Sequence, residues 1–436
     1  MNLTQLTERL HRAEPELFRG PSASSSLGWL RSPARYLGDW LDELAERLPR
    51  RHSRSILLGM GGSSSPARFF AEASGSSALA VLDTSNPDTV AQTDFSGATV
   101  LASSKSGTTV ETQTLLAHAL AHGLDPRDLV VITDPGTSLA ELGATLGATV
   151  IEGDPHTGGR FSALTPFGLV PALYAGWSPS SLRDELGEVA LNEAVVVGAL
   201  EQVDRFVPGP DPSLLWDTLR QDPALSGGAL WLEQLLAETT GKSGRGVVPL
   251  AGAEGHYRPA EIFTFHLAAV LAARELDVDP FDQPDVDSAK RAVFDLLRAG
   301  VPEIEEDRGD LLRLSEAATY RALQVYAPVA LSAQVAQLRE GVSRRFGPTT
   351  ANLGPRYLHS TGQLHKGGPA GVLGIQIVVR PSSMPQRIQG RAYSFHDLHR
   401  AQALSDQMAM RQRNRQVRVL VVDALDEAAE VLEVAP

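Results

Sequence analysis

Lysine occurs only four times in this chain of 436 residues, leaving 35 arginines among its 39 basic residues, and each lysine sits in a short string flanked by Gly, Ser and Thr or by acids. The strings are SSKSGTTVET around Lys105, AETTGKSGRG around Lys242, FDQPDVDSAK before Lys290 and STGQLHKGGP around Lys366. Where arginine serves as the ordinary surface cation, a retained lysine points to work that a planar guanidinium does poorly. Such work includes donating from a compact head or exchanging a proton.

Two turns rich in Gly, Ser and Thr point to an anion. LLGMGGSSSPARFF reads as a strand, a turn and a helix start. Gly59, Gly61 and Gly62 permit close backbone approach there, and Ser63 to Ser65 fall where helix-start amides can meet an anion. VLASSKSGTTVETQTLLAHAL reads as a strand ending in hydroxyls, followed directly by a helix with Glu111 in its early turns. Ser104, Ser106, Thr108 and Thr109 supply side-chain donors beside Lys105, and the helix N-terminus adds positive potential. Such a loop suits a phosphate monoester, whose terminal oxygens need donors from several directions. The GxxxxGKS/T spacing of a nucleotide-binding loop is absent, so neither a nucleotide nor any other cofactor is expected.

The elements that must hold these turns are legible as alternation. Apolar runs SILLGMG, ALAVLDT, ATVLASS, LVVITD and ATVIEG read as buried parallel strands, with PARFFAEA, TVETQTLLAHALAHG and TSLAELGATLG as crossover helices. The expected unit is a doubly wound α/β domain over residues 53–178, with its ligand site at the carboxyl ends of the strands. An N-terminal helical segment, 1–52, is expected to pack on a second domain, 179–436. That domain opens on long helical stretches: SLRDELGEVALNEAVVVGALEQVDRF, GALWLEQLLAE and EIFTFHLAAVLAAREL. Its strand candidates are GVVPLAG, RYLHS, GVLGIQIVVR and VRVLVVDAL, which make it a second α/β unit. PGPDPSL at 208–214 reads as a linker.

Composition narrows the partners. A net charge of −13 disfavours nucleic acid, and the absence of cysteine excludes disulfides and thiol chemistry. The charged, amphipathic N-terminus lacks a signal-peptide core, and no apolar run approaches the roughly 20 residues that span a bilayer. A cytoplasmic protein with no membrane partner is expected. No His/carboxylate spacing suggests a metal site.

SSKSGTTVET following MGGSS resembles the sugar isomerase (SIS) domain, and specifically the phosphoglucose isomerase family. GGRFSALTPFGL at 158–169, WLEQLLAETTGK at 231–242 and VDPFDQPDVDSAK at 278–290 resemble that family's further signatures, in the same order. YLHSTGQLHKGGP and the AQALSDQ helix are similar to the isomerase half of bacterial transaldolase/phosphoglucose isomerase fusions. The chain leaves no room for a transaldolase barrel, so that second activity is expected to be absent. The resemblance implies two SIS-type sandwich domains and reversible isomerisation of glucose 6-phosphate and fructose 6-phosphate through a cis-enediol. Glu238 becomes the base that shuttles the proton, with Gln234 on the same helical face as a substrate contact. Arg160, with Gly159 beside it, becomes the cation for the enediolate oxygen, and Lys290 acts at ring opening. Gly61, Gly62, Ser63 and the 104–109 loop become the substrate cradle, and Lys242 a support for the loop after Glu238.

The family also supplies a ring-opening histidine in a Gly-Gln-His segment between its glutamate and lysine motifs, and here the pattern breaks. The nearest likeness, STGQLHKGG, follows Lys290 by about 70 residues. His365 is the first choice, His359 the second, and His256 a competitor, while the role of Lys366 stays open. Two other readings remain. One is an enzyme that also accepts mannose 6-phosphate; the other is a noncatalytic SIS-domain sensor of sugar phosphates, which would need the hydroxyl cradle but not Glu238, Arg160 and Lys290 together. The resemblance further implies a homodimer.

Overall fold

The computed structural model describes residues 2–187, 189–209, 215–285 and 287–435. Five strands form the first sheet: β1 (Arg54–Leu58), β2 (Leu79–Leu82), β3 (Ala98–Ser103), β4 (Leu129–Thr133) and β5 (Thr149–Glu152). All pairs are parallel, in the order β2-β1-β3-β4-β5. β3 and β4 are buried at every residue. This fits strands covered by helices on both faces and explains their unbroken runs of Val, Leu and Ile.

A short parallel pair follows, β6 (Leu215–Thr218) with β7 (Val247–Leu250), and then a second large sheet. That sheet holds β8 (Tyr320–Tyr326), β9 (Thr349–Leu353), β10 (Val372–Val379) and β11 (Gln416–Val422) in the order β11-β10-β8-β9, again all parallel. Both sheets therefore start on an inner strand, add one neighbour, then return to the other side and continue outward. Each has a switch point where two connections leave in opposite directions: between β1 and β3 in the first sheet, and between β8 and β10 in the second. The α/β class and the two doubly wound parallel sheets are present.

The two units meet with the carboxyl ends of their strands turned towards each other. Asp88, in the short helix Pro87–Ala91 after β2, accepts hydrogen bonds from the Ser382 and Ser383 amides just beyond β10, at 2.9 and 2.7 Å. The helix Gly227–Thr240 runs between the units and is buried almost end to end. Leu232, Leu235 and Leu236 share a core with helix Ser65–Ser74 of the first unit, and Ala237 packs with Tyr320 and Leu364 of the second. The N-terminal helices join that first core through Leu6, Leu10, Trp29 and Leu41, and helix Leu3–His11 lies on helix Glu193–Phe206.

Several local expectations change. RYLHS is not a strand but a 3-10 turn, Arg356–His359, because the edge strand β9 ends at Leu353 and Gly354-Pro355 redirects the chain. The helical stretch from 181 to 206 divides into Pro179–Leu186 and Glu193–Phe206. Gly187 (φ +66°) ends the first helix, and the Asn192 side chain caps the second by accepting from the Val195 amide. β6, β8 and β9 stand outside the strand candidates. Of the linker string, residues 210–214 lie outside the described residues.

Candidate active site

The site begins at the first sheet's switch point. After β3 the loop 104–109 leads into helix Val110–Ala121, with Gly107 at φ +67° making the turn. The Ser104 and Thr109 hydroxyls lie 2.8 Å apart, and those of Ser106 and Thr108 lie 3.0 Å apart. These hydroxyls pair with one another, and an anion at the helix N-terminus would take those donors instead. After β1 the glycine turn is packed at contact distance. A β-carbon on Gly62 would sit 2.0 Å from the Gly159 carbonyl oxygen, and one on Gly61 (φ +53°) would sit 2.7 Å from the carbonyl of His359. The absence of side chains at these two positions is what lets the GGRFS turn and the Arg356–His359 turn close on β1.

Against this turn lies Glu238, near the end of helix Gly227–Thr240 and only 4% exposed. Its carboxylate meets the Arg160 Nε at 3.2 Å, accepts from Gln234 Nε2 at 3.2 Å and from Gln283 Nε2 at 2.9 Å. The Gln234 carbonyl accepts from the Ser65 hydroxyl at 2.6 Å, so the amide is held with its nitrogen towards Glu238. Burial pushes the Glu238 carboxyl above its ordinary value; Arg160, the Gln234 hydrogen bond, His359 and Lys290 pull it back only in part. Arg160 is itself buried and spreads its donors over the carbonyls of Glu238, Pro280 (3.1 Å) and Asp282 (3.2 Å). Lys242 secures the same 279–283 turn, bonding the Asp279 carbonyl and the Asp282 carboxylate at 2.9 Å. Burial, with Arg160 nearby, brings the Lys242 ammonium down to about 8.

Beside this cluster a cavity of about 240 Å³ opens between the two units. One wall is the first unit's Ser106, Thr108, Thr109 and Glu111. The other is the second unit's Lys290, His359, Lys366, Gln402 and Ser405. The His359 Nε2 lies 2.9 Å from a Glu111 oxygen, which also accepts from Gln402 Nε2 at 2.6 Å, and the Gln402 carbonyl in turn accepts from Ser85 at 2.5 Å. Burial alone would raise the Glu111 carboxyl, but the charge and hydrogen bond of His359, with Lys290 farther off, outweigh it and hold it below its ordinary value. A carboxylate that fixes one nitrogen of an imidazole at a cavity wall prepares that histidine for proton transfer. Lys290, on helix Asp287–Ala299, is exposed at the cavity mouth.

The residues expected from sequence divide on this geometry. Glu238, Gln234, Arg160 and the backbone of Gly61, Gly62 and Gly159 converge, and Ser106, Thr108, Thr109, Lys290 and His359 line the adjoining cavity. Ser63 and Ser104 are buried behind them. The Lys105 ammonium turns away from the loop to Asp134 and to the Asp154 carbonyl at 2.8 Å. His365 faces the second unit's interior. Its Nδ1 lies 3.2 Å from Gln324, its ring tilts against Tyr357, and burial brings it down to about 3, so it is neutral. His256 is exposed, beside Gln221 at 3.0 Å. The sequence points to Lys290 in DPFDQPDVDSAK and is silent on Gln283 in the same string. It is silent too on Glu111 as the partner of a histidine 248 residues further on, and on Gln402 as the other donor to Glu111. Among the described residues no group of His, Asp and Glu has the arrangement of a metal site, and no helix is long and apolar enough to cross a membrane.

No family model matches the chain. It is similar to the glucose-6-phosphate isomerase of Rubrobacter xylanophilus, 30% identical over 211 residues that make up 45% of this chain and 46% of that protein. It is similar to that of Campylobacter jejuni, 31% identical over 30% of this chain and 35% of the relative. To that of Thermus thermophilus it is 28% identical over 63% of this chain and 74% of the relative. The chain thus matches less than half the length of the first two. Among solved structures, a hypothetical protein of Thermus thermophilus matches with a TM-score of 0.35 at 20% identity, over 99% of this chain and 86% of the other. A glucose-6-phosphate isomerase of Chlamydia trachomatis matches with a TM-score of 0.30 at 16% identity, over 96% and 75%. In sequence the chain resembles glucose-6-phosphate isomerases.

Proposed function

We propose that this chain is an aldose-ketose isomerase that interconverts glucose 6-phosphate and fructose 6-phosphate. The observation that supports this most is the buried Glu238 carboxylate, raised by burial, held by two amide donors and set 3.2 Å from a buried guanidinium. Proton transfer between adjacent carbons needs one base able to take and return the proton, with a fixed positive charge for the oxygen that becomes negative. Glu238 and Arg160 are that pair.

The rest of the site serves the remaining steps. The phosphate rests on the hydroxyls and amides of 104–109, at the positive end of helix Val110–Ala121. His359, oriented by Glu111, moves the proton between the anomeric oxygen and the ring oxygen as the ring opens, with Lys290 beside it. Glu238 then removes the C2 proton of the open aldose. The resulting cis-enediolate carries its charge on O1 against Arg160; the O2 hydroxyl proton passes to O1 as Glu238 delivers the carbon proton to C1, which leaves a C2 carbonyl and a C1 hydroxyl, the ketose. The neutral, inward-facing His365 takes no part, so ring opening belongs to His359. Every group in this scheme lies on one chain.

A coupled assay starting from fructose 6-phosphate tests the reading. Wild type turns over, and Glu238→Gln loses about 10²- to 10⁴-fold in kcat, the range of a positioned general base, while still binding the sugar phosphate. A wild type that binds fructose 6-phosphate without turning it over would instead make the chain a sensor.

A further inference from the structure

Lys366 is one of four lysines in the chain, and nothing in the isomerisation scheme uses it. It lies in the short helix Gly362–Gly367, and its side chain is 2% exposed. Its ammonium meets the fully buried Asp406 carboxylate at 2.5 Å and donates to the Gly362 carbonyl at 3.2 Å. The other Asp406 oxygen accepts from the Tyr357 hydroxyl at 2.8 Å, and Tyr357 stands two residues before His359. A buried ion pair costs desolvation that hydrophobic side chains of the same volume would avoid, so its presence calls for a reason. Its position supplies one: Lys366 is part of the cavity wall, with Ser405, Gln402 and His359 around it.

We propose that Lys366 is a specificity-determining residue that donates to a hydroxyl of the bound sugar, and that Asp406 and Tyr357 hold its ammonium in place. This rests on the sugar-phosphate reading of the same cavity. An ammonium has three donors; the Gly362 carbonyl takes one and Asp406 holds the charge as an ion pair, which leaves donor capacity for a ligand in the cavity. The phosphate loop occupies the first unit's wall. A sugar whose phosphate rests there presents its hydroxyls to the second unit's wall, where Lys366 lies.

The test compares wild type with Lys366→Met and with the double variant Lys366→Met/Asp406→Asn, which removes both charges and avoids stranding a buried carboxylate. The readouts are kcat and KM for fructose 6-phosphate and the inhibition constant of inorganic phosphate. Loss of one charged hydrogen bond raises KM about tenfold or more in the double variant. It leaves the phosphate inhibition constant within about twofold, since phosphate alone does not reach the second wall. An unchanged KM overturns the assignment, and so does a phosphate constant that rises in parallel. If wild type binds fructose 6-phosphate without turnover, the isomerase reading falls, and the same comparison made on Kd still decides Lys366. If wild type does not bind it, both fall.

Discussion

Glu238 and Arg160 are separated by 78 residues, yet the pair works as one unit, because each changes what the other can do. Burial raises the Glu238 carboxyl and the Arg160 charge opposes the rise, so the acidic limb of the kcat/KM profile lies above the usual carboxylate range. Arg160→Gln removes the opposing charge. The limb then moves further up in pH while the maximal rate falls, which a pH profile of both proteins from 5 to 9 reads directly; a limb that stays in place or moves down refutes the coupling. At this scale the sequence was most informative where a motif names one residue. Glu238, Arg160 and Gln234 could be picked out because each sits in a string whose neighbours are equally distinctive. Gln283 and Glu111 could not, because their work is done through partners far along the chain. The proposed scheme prefers His359 to His365 for a similar reason: GQLH looks like the expected string, but the turn Arg356–His359 delivers the earlier histidine to Glu111.

Elements place these residues through tight backbone contacts, among them Gly62 against the carbonyl of Gly159. Gly62→Ala puts a β-carbon 2.0 Å from that oxygen, so the turn before Arg160 must move. The expected result is destabilisation of about 1–3 kcal/mol in a urea titration, as for other overpacked sites, together with a lower kcat from the displaced guanidinium. Full stability and activity would mean that the two turns are not pressed together. The first sheet was readable because each of its strands is a short run of apolar residues that ends at a turn signal. β8 hid because its buried residues include Arg321 and Gln324. The guanidinium is satisfied by the carbonyls of Ser315 and Ala318, and the Gln324 amide nitrogen meets the His365 Nδ1 at 3.2 Å, so polar side chains occupy a fully buried strand without breaking it. RYLHS misled in the opposite sense, since the apolar pair Tyr357-Leu358 just after the redirecting Gly354-Pro355 looks the same as a strand start.

Across the whole molecule, two sheets of matching strand order face each other, and their crevices are used unequally. One holds the hydroxyl loop; at the other, Asp88 occupies the Ser382 and Ser383 amides. Because every group of the proposed scheme lies on this chain, specific activity is expected to stay constant when the protein is diluted from micromolar to nanomolar, whatever its state of association. A specific activity that falls on dilution, with a matching change in mass by light scattering, would show that a second copy completes the site. The two-sheet plan could be read from alternating apolar runs, but the pairing of Glu111 with residues at 359 and 402 could not, since no local pattern encodes a contact across 291 residues. That separation also sets a timetable for the growing chain. At about 5–20 residues per second, a ribosome takes roughly 15–60 s to go from Glu111 to Gln402. Through that interval the first unit can fold around a carboxylate whose partners His359 and Gln402 have not yet been made, so the proposed site stays incomplete until helix Phe395–Gln412 emerges and docks.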